Sequence, residues 1–142
     1  MKLLKSLALA MVMVMFGPIT AMAQERISVK KAQQLAEQGD VLLIDIRTPG
    51  EWRRTGVSPL AETLNMHSPT FGPELLALIE GNRDLPIALI CATGGRSGHM
   101  SRVMSNAGFT AIYDVTEGMN GSSAGPGWIA EGLDTINYNA DQ

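Results

Sequence analysis

The sequence predicts an α/β layered domain with a mostly parallel central sheet flanked by helices. Three observations carry that prediction. Residues 41–46 (VLLIDI), 86–91 (PIALIC) and 111–115 (AIYDV) are short apolar runs, the pattern of strands covered on both faces. Segments with helical spacing lie between them. The connections are short, and such alternation favours parallel strands joined by crossover helices.

The chain opens with basic Lys2 and Lys5, an apolar stretch over 7–17, the breaker Pro18, and small residues at Ala21 and Ala23. This is the layout of a secretory signal peptide over 1–23, cleaved after Ala23. The apolar stretch is short for a bilayer span, so stable membrane insertion after cleavage is not expected. The expected location is outside the cytoplasm, in a bacterial periplasm. Residues 24–142 then suit a single domain with one modest core. Removing Lys2 and Lys5 from the 11 basic residues leaves 9 against 14 acidic ones, a formal charge of −5. That balance argues against a nucleic-acid partner, which requires a basic footprint.

The first element of this domain is a helix over 28–39, with Ser28 as N-cap and Gly39 as its stop. The strand at 41–46 carries Asp45 near its C-terminal end. Arg47 and the turn-like Thr48-Pro49-Gly50 follow, and a short helix starts near Glu51. Residues 63–66 suit a brief strand, and 71–81 a helix with Pro73 near its start and Gly81 at its end. The strand at 86–91 leads into a glycine-containing loop, a helix over 96–107, and the strand at 111–115. Residues 118–127 hold four glycines and a proline and read as a loop, either flexible or covering a pocket. Trp128 begins a helical turn ending at Gly132, and the last ten residues read as a peripheral tail.

Cys91 is the only cysteine, so an internal disulfide is impossible. A buried inert thiol is the simpler account; a thiol retained for chemistry is the sharper one. Its surroundings bear on the choice. A buried strand delivers Cys91 to the C-terminal edge of the sheet, where open α/β sheets bind ligands. Ala92, Thr93, Gly94 and Gly95 form a loop whose backbone N–H groups can face inward as an anion nest. The helix starting near Arg96 or Ser97 adds its positive end, which favours thiolate over thiol. Arg96 suits an anion-binding or structural role, with a solvent-facing position as the alternative. Ser97 either caps the helix or adds a hydroxyl to the site. His99 reads as an ordinary helix position, and Trp52 and Trp128 as packing residues rather than pocket walls. No GxxxxGK[ST] motif is present, and His67, His99 and Cys91 lack metal-ligand spacing. No metal and no cofactor is expected.

The string Cys91-Ala92-Thr93-Gly94-Gly95-Arg96-Ser97 resembles the catalytic loop of the rhodanese family, Cys-x-x-Gly-x-Arg-Ser. Ile44-Asp45-Ile46-Arg47 with Glu51-Trp52 is similar to that family's first signature. Trp128 with Gly132-Leu133 resembles its closing pattern. The marks occur in the family's order over 29–135. The resemblance implies a rhodanese-like three-layer domain and a Cys91 that carries sulfane sulfur as a persulfide. It implies a thiosulfate or persulfide-type donor, and a cyanide or thiol acceptor, including a protein thiol. Asp45 and Arg47 match its Asp-x-Arg, Arg96 its loop arginine, and Glu51 its acidic position, where an ion pair with an arginine is expected. Asp45, Arg47 and Glu51 are therefore supporting residues. Thr55-Gly56-Val57-Ser58-Pro59-Leu60-Ala61 departs from the family's Gly-His-Ile-Pro-Gly-Ala and lacks its histidine.

Two other functions use the same thiol. A cysteine phosphatase or arsenate-handling enzyme would need an anion cradle. Its usual pattern has five residues between cysteine and arginine, and this chain has four. A non-enzymatic sulfur-binding or redox-sensing module would use an exposed thiol as a reversible modification site.

Overall fold

The computed structural model describes residues 24–139; the signal-peptide expectation over 1–23 lies outside them. Ten elements follow in order. They are β1 (Glu25–Ile27), α1 (Val29–Glu37), β2 (Leu42–Asp45), α2 (Pro49–Thr55) and β3 (Ala61–Thr63). Then come α3 (Phe71–Leu78), β4 (Ile87–Ile90), α4 (Gly95–Asn106), β5 (Ile112–Val115) and α5 (Gly127–Ala130). The five strands form one sheet in the order β1-β5-β4-β2-β3, and every pairing is parallel.

Both faces of the sheet are covered, which explains the near-continuous apolar strands. On one face Ile44, Ile87, Leu89 and Ile112 pack with Leu75, Met100 and Met104 from α3 and α4. On the other, Leu43, Ala88, Ile90 and Val115 pack with Val29 and Ala32 of α1 and with Trp128. Cys91 keeps the parity of Ile87 and Leu89 and belongs to the α3/α4 face. Strand order reverses between β2 and β4, which places a crevice between their C-terminal ends. Asp45 leaves on one side of it and Cys91 on the other.

Several boundaries differ from the sequence reading for physical reasons. Helix α2 begins at Pro49, not near Glu51, because Thr48 is a true N-cap. The Thr48 side chain accepts from the Glu51 N–H, and Glu51 accepts from the Thr48 N–H, a capping box. Strand β3 falls at 61–63 rather than 63–66, since Leu43 pairs with Ala61 and Asp45 with Thr63. Strand β1 was not expected. Only Ile27 of its three residues is buried, and its partner β5 lies far along the chain.

The 118–127 loop is held in place by its backbone. Met119 N–H donates to the Cys91 carbonyl and Asn120 N–H to that of Ala92, each at 2.8 Å. The buried carboxylate of Glu117 accepts from the N–H groups of Val29 at 3.2 Å and Gly127 at 3.0 Å. The loop is therefore a pinned support beneath the cysteine loop, not a free cover. Nor is the tail simply peripheral. Val57 and Ile136 exchange backbone hydrogen bonds at 3.0 and 2.8 Å. The Tyr138 ring packs against Trp52 at a tilt of 53°, with ring centroids 4.9 Å apart.

Candidate active site

Cys91 follows β4 directly, and its side chain is fully buried. The exposed thiol assumed for a modification site is thus not what the fold presents. Burial does not leave the sulfur in a purely apolar setting. Gly94 N–H donates to Sγ at 3.2 Å and Ser97 N–H at 3.4 Å. Both lie at the start of α4, so the positive end of a twelve-residue helix reinforces them. Two backbone N–H groups and a helix N-terminus thus converge on this sulfur.

The loop conformation depends on glycine at two points. Gly94 has φ +85°, and a Cβ there would lie 2.2 Å from the Thr116 carbonyl oxygen. Gly118 has φ +70°, and its Cβ would lie 2.4 Å from the Ala92 oxygen. Left-handed backbone and close approach together exclude a larger residue without displacing the loop. Thr93 and Gly95 are exposed at the rim, and Ala92 is half-buried.

The Arg96 guanidinium engages Glu51 with both terminal nitrogens, at 2.8 and 2.5 Å. Its two terminal nitrogens are thus committed to a carboxylate of α2, and the donors at the sulfur are backbone groups. Those Arg96 hydrogen bonds, with help from Thr48, hold the Glu51 carboxyl at about 2 instead of the ordinary 4.5, against the opposing effect of burial. A depressed folded value means the contribution is complete above about 4.5 and is lost as pH falls toward 2. The melting-temperature gap between wild type and Glu51→Gln is expected to stay constant above that window and to narrow within it. Thermal melts across the acid range check this.

Asp45 and Arg47 form a fully buried pair. Arg47 Nε donates to Asp45 Oδ1 at 2.9 Å and Nη2 to Oδ2 at 2.7 Å. Nη1 donates to Thr55 Oγ1 at 2.7 Å, and Nη2 also donates to the Gly56 carbonyl at 2.9 Å. Four of the five Arg47 N–H groups are thus engaged inside the protein, and the side chain ties the end of β2 to the end of α2. His67 and His99 are both exposed. Trp128 is buried in the α1-side core, and its indole N–H donates to the Asp134 carbonyl at 2.9 Å. It packs rather than lining the site, and Trp52 does the same against Tyr138.

Two residues at the site escaped the sequence reading. Glu117 clamps the supporting loop. Asp114 on β5 accepts from the Ser97 hydroxyl at 2.7 Å. Both are buried, and the available signal was a lone acid within or beside an apolar strand, where a charge needs a partner.

Comparison with known proteins agrees with this architecture. The model of the rhodanese-like domain family matches residues 28–124. A sulfurtransferase from Allochromatium vinosum is 33% identical over 98 residues, covering 69% of this chain and 86% of that protein. The polysulfide-sulfur transferase homodimer of Wolinella succinogenes superposes with a TM-score of 0.64 at 27% identity, covering 82% of this chain and 81% of the other. A Rhodopseudomonas palustris protein of unknown function, described as a possible tyrosine phosphatase, shares the fold. Its TM-score is 0.60 at 22% identity, with 80% of this chain and 85% of that one covered. The chain belongs to the rhodanese-like domain family, and sulfurtransferases are among its relatives.

Proposed function

We propose that the protein transfers sulfane sulfur through a persulfide on Cys91. The observation that carries this reading is the pair of N–H donors, from Gly94 and Ser97, directed at one buried sulfur. The Cys91 thiolate attacks the terminal sulfur of a polysulfide, persulfide or thiosulfate. The S–S bond of the donor breaks, and its electron pair leaves with the departing thiolate, shortened polysulfide or sulfite. Cys91 then holds the terminal sulfur as an anionic persulfide. An acceptor thiolate or cyanide attacks that outer sulfur, and Cys91 departs as thiolate. This is covalent catalysis in two half-reactions.

The relation to a polysulfide-sulfur transferase supports polysulfide as one donor. Burial of Sγ supports a thin donor, since a terminal sulfur presents less bulk than a tetrahedral phosphate. The four-residue spacing to Arg96, and the commitment of Arg96 to Glu51, also weigh against a phosphatase. The decisive experiment measures turnover of polysulfide, glutathione persulfide and thiosulfate with cyanide or thiol acceptors, beside an aryl phosphate. Sulfur transfer from at least one donor is expected. Turnover of the aryl phosphate alone, or of none of them, overturns the reading. The proposal includes export, with a mature protein beginning at Gln24; N-terminal sequencing of the periplasmic form checks it.

A further inference from the structure

Among the described residues three carboxylates are buried, Asp45, Glu117 and Asp114, and they differ in what neutralises them. Asp45 has the guanidinium of Arg47. Glu117 has two backbone N–H donors. Asp114 has neither a direct ion pair nor a backbone donor among the described residues, only the more distant charges of Arg26 and Arg102. Its one close partner is the Ser97 hydroxyl, 2.7 Å from Oδ1. Gln24 Nε2 reaches Oδ2 only at 3.4 Å. A carboxylate that is 2% exposed with so little compensation is costly as a purely structural group.

The same hydroxyl lies 3.5 Å from Cys91 Sγ, within the range of a hydrogen bond to sulfur. Sulfur, hydroxyl and carboxyl thus form a continuous chain from β4 through α4 to β5. Ser97 has one proton to donate, and the Gly94 carbonyl at 3.1 Å is a further, longer acceptor for it; two arrangements of the same heavy atoms link Cys91 to Asp114. In the first, Cys91 is a thiol donating to Ser97 Oγ, and Ser97 donates to the Asp114 carboxylate. In the second, Asp114 is protonated and donates to Ser97 Oγ, and Ser97 donates to the Cys91 thiolate. The second adds a third donor to the two backbone N–H groups already on the sulfur.

We propose that Asp114 is the positioning and proton-accepting partner of Cys91, acting through the Ser97 hydroxyl, so that the thiol and carboxyl share a proton. The exchange moves one proton from Sγ to Oγ and another from Oγ to Oδ1. Charge is conserved within the trio, and no other reactant is needed. Burial raises the Asp114 carboxyl above its ordinary range, while the Ser97 hydrogen bond and the positive charges of Arg26 and Arg102 pull the other way. The groups facing Asp114 are Ser97 and Arg102 of α4, and Gln24 and Arg26 at β1. Those near Cys91 are Arg96, held by Glu51, and the Asp45–Arg47 pair at the end of β2. Asp114 also borders a cleft of about 420 Å³ lined by Gln24, Arg26, Gly94, Gly95, Gly98 and Arg102. Cys91 itself is not among its walls.

For turnover, this inference rests on the persulfide reading of Cys91, because proton withdrawal prepares the nucleophile. The proton sharing itself can be measured without any sulfur donor, so the two readings fail separately. With a single cysteine, ultraviolet absorbance reports its thiolate directly, and Cys91→Ser supplies the baseline. Wild type is expected to gain thiolate in two steps as pH rises, because coupled groups titrate as a pair. Asp114→Asn is expected to show one step, lying below the upper wild-type step by about one pH unit or more. Identical single steps in the two proteins overturn the proposal, since a merely structural Asp114 would leave the curve unchanged. A second measurement uses wild type alone and does not depend on the variant folding. The side-chain carbon resonances of Asp114 and Cys91 should show the same two inflections. Two independent single-inflection curves overturn it.

Discussion

Replacing Cys91 by serine is expected to lower sulfur transfer by on the order of 10³-fold or more, to the uncatalysed background. Serine preserves the approximate volume and can still receive the Gly94 and Ser97 N–H groups. Its hydroxyl, however, is not appreciably ionised at neutral pH and forms no persulfide. No second cysteine exists to take over. Intact-mass measurement after treatment with polysulfide should show wild type heavier by about 32 Da, one sulfur atom held as a reversible persulfide. Cys91→Ser should show no such species, with an unchanged circular dichroism spectrum. Sulfur uptake by the serine variant would move the chemistry away from Cys91 and end the proposal.

Asp45→Ala is expected to destabilise the domain by about 3–5 kcal/mol. The cause is the partner left behind. The Arg47 side chain is fully buried, and without Asp45 its charge would face only the neutral acceptors Thr55 and Gly56. Against a typical total of roughly 5–15 kcal/mol, that loss is enough to populate unfolded protein. Adding Arg47→Met removes the stranded charge and should recover much of the deficit, because a buried ion pair contributes less than its rupture costs. Urea unfolding of wild type, single and double variants measures both effects. A single-variant cost below about 1 kcal/mol would show that water reaches Arg47 and that the pair does not hold β2 to α2.

Both effects sit on residues visible in the chain, but they were visible to different degrees. The strand at 86–91, the glycines after it and the following helix are contiguous, so strand, loop and helix N-terminus could be placed together. The donors at the sulfur come from residues three and six positions on, and local order was enough. The Asp45–Arg47 contact spans two residues and was equally within reach, although its complete burial was not. Arg96 was harder. Its sequence position suggested an anion at the sulfur, yet its guanidinium meets Glu51, 45 residues away. The resemblance named an arginine partner for Glu51; geometry supplied which one.

The sequence alone determined the α/β class, the strands β2, β4 and β5, and the cradle that begins at Cys91. Each is written in a continuous stretch whose periodicity or turn chemistry acts locally. Tertiary structure decided the rest. It added β1, which is too short to signal itself and forms through its pairing with β5. It pinned the 118–127 loop under the Cys91 and Ala92 carbonyls, where composition suggested either a flexible loop or a cover for a pocket. It brought Ser97 and Asp114 together across 17 residues and buried the thiol between them and the α3/α4 core. Those outcomes depend on which strands become neighbours. Strand order is set by how the helices cover both faces of the sheet, and no local segment of the chain contains that information.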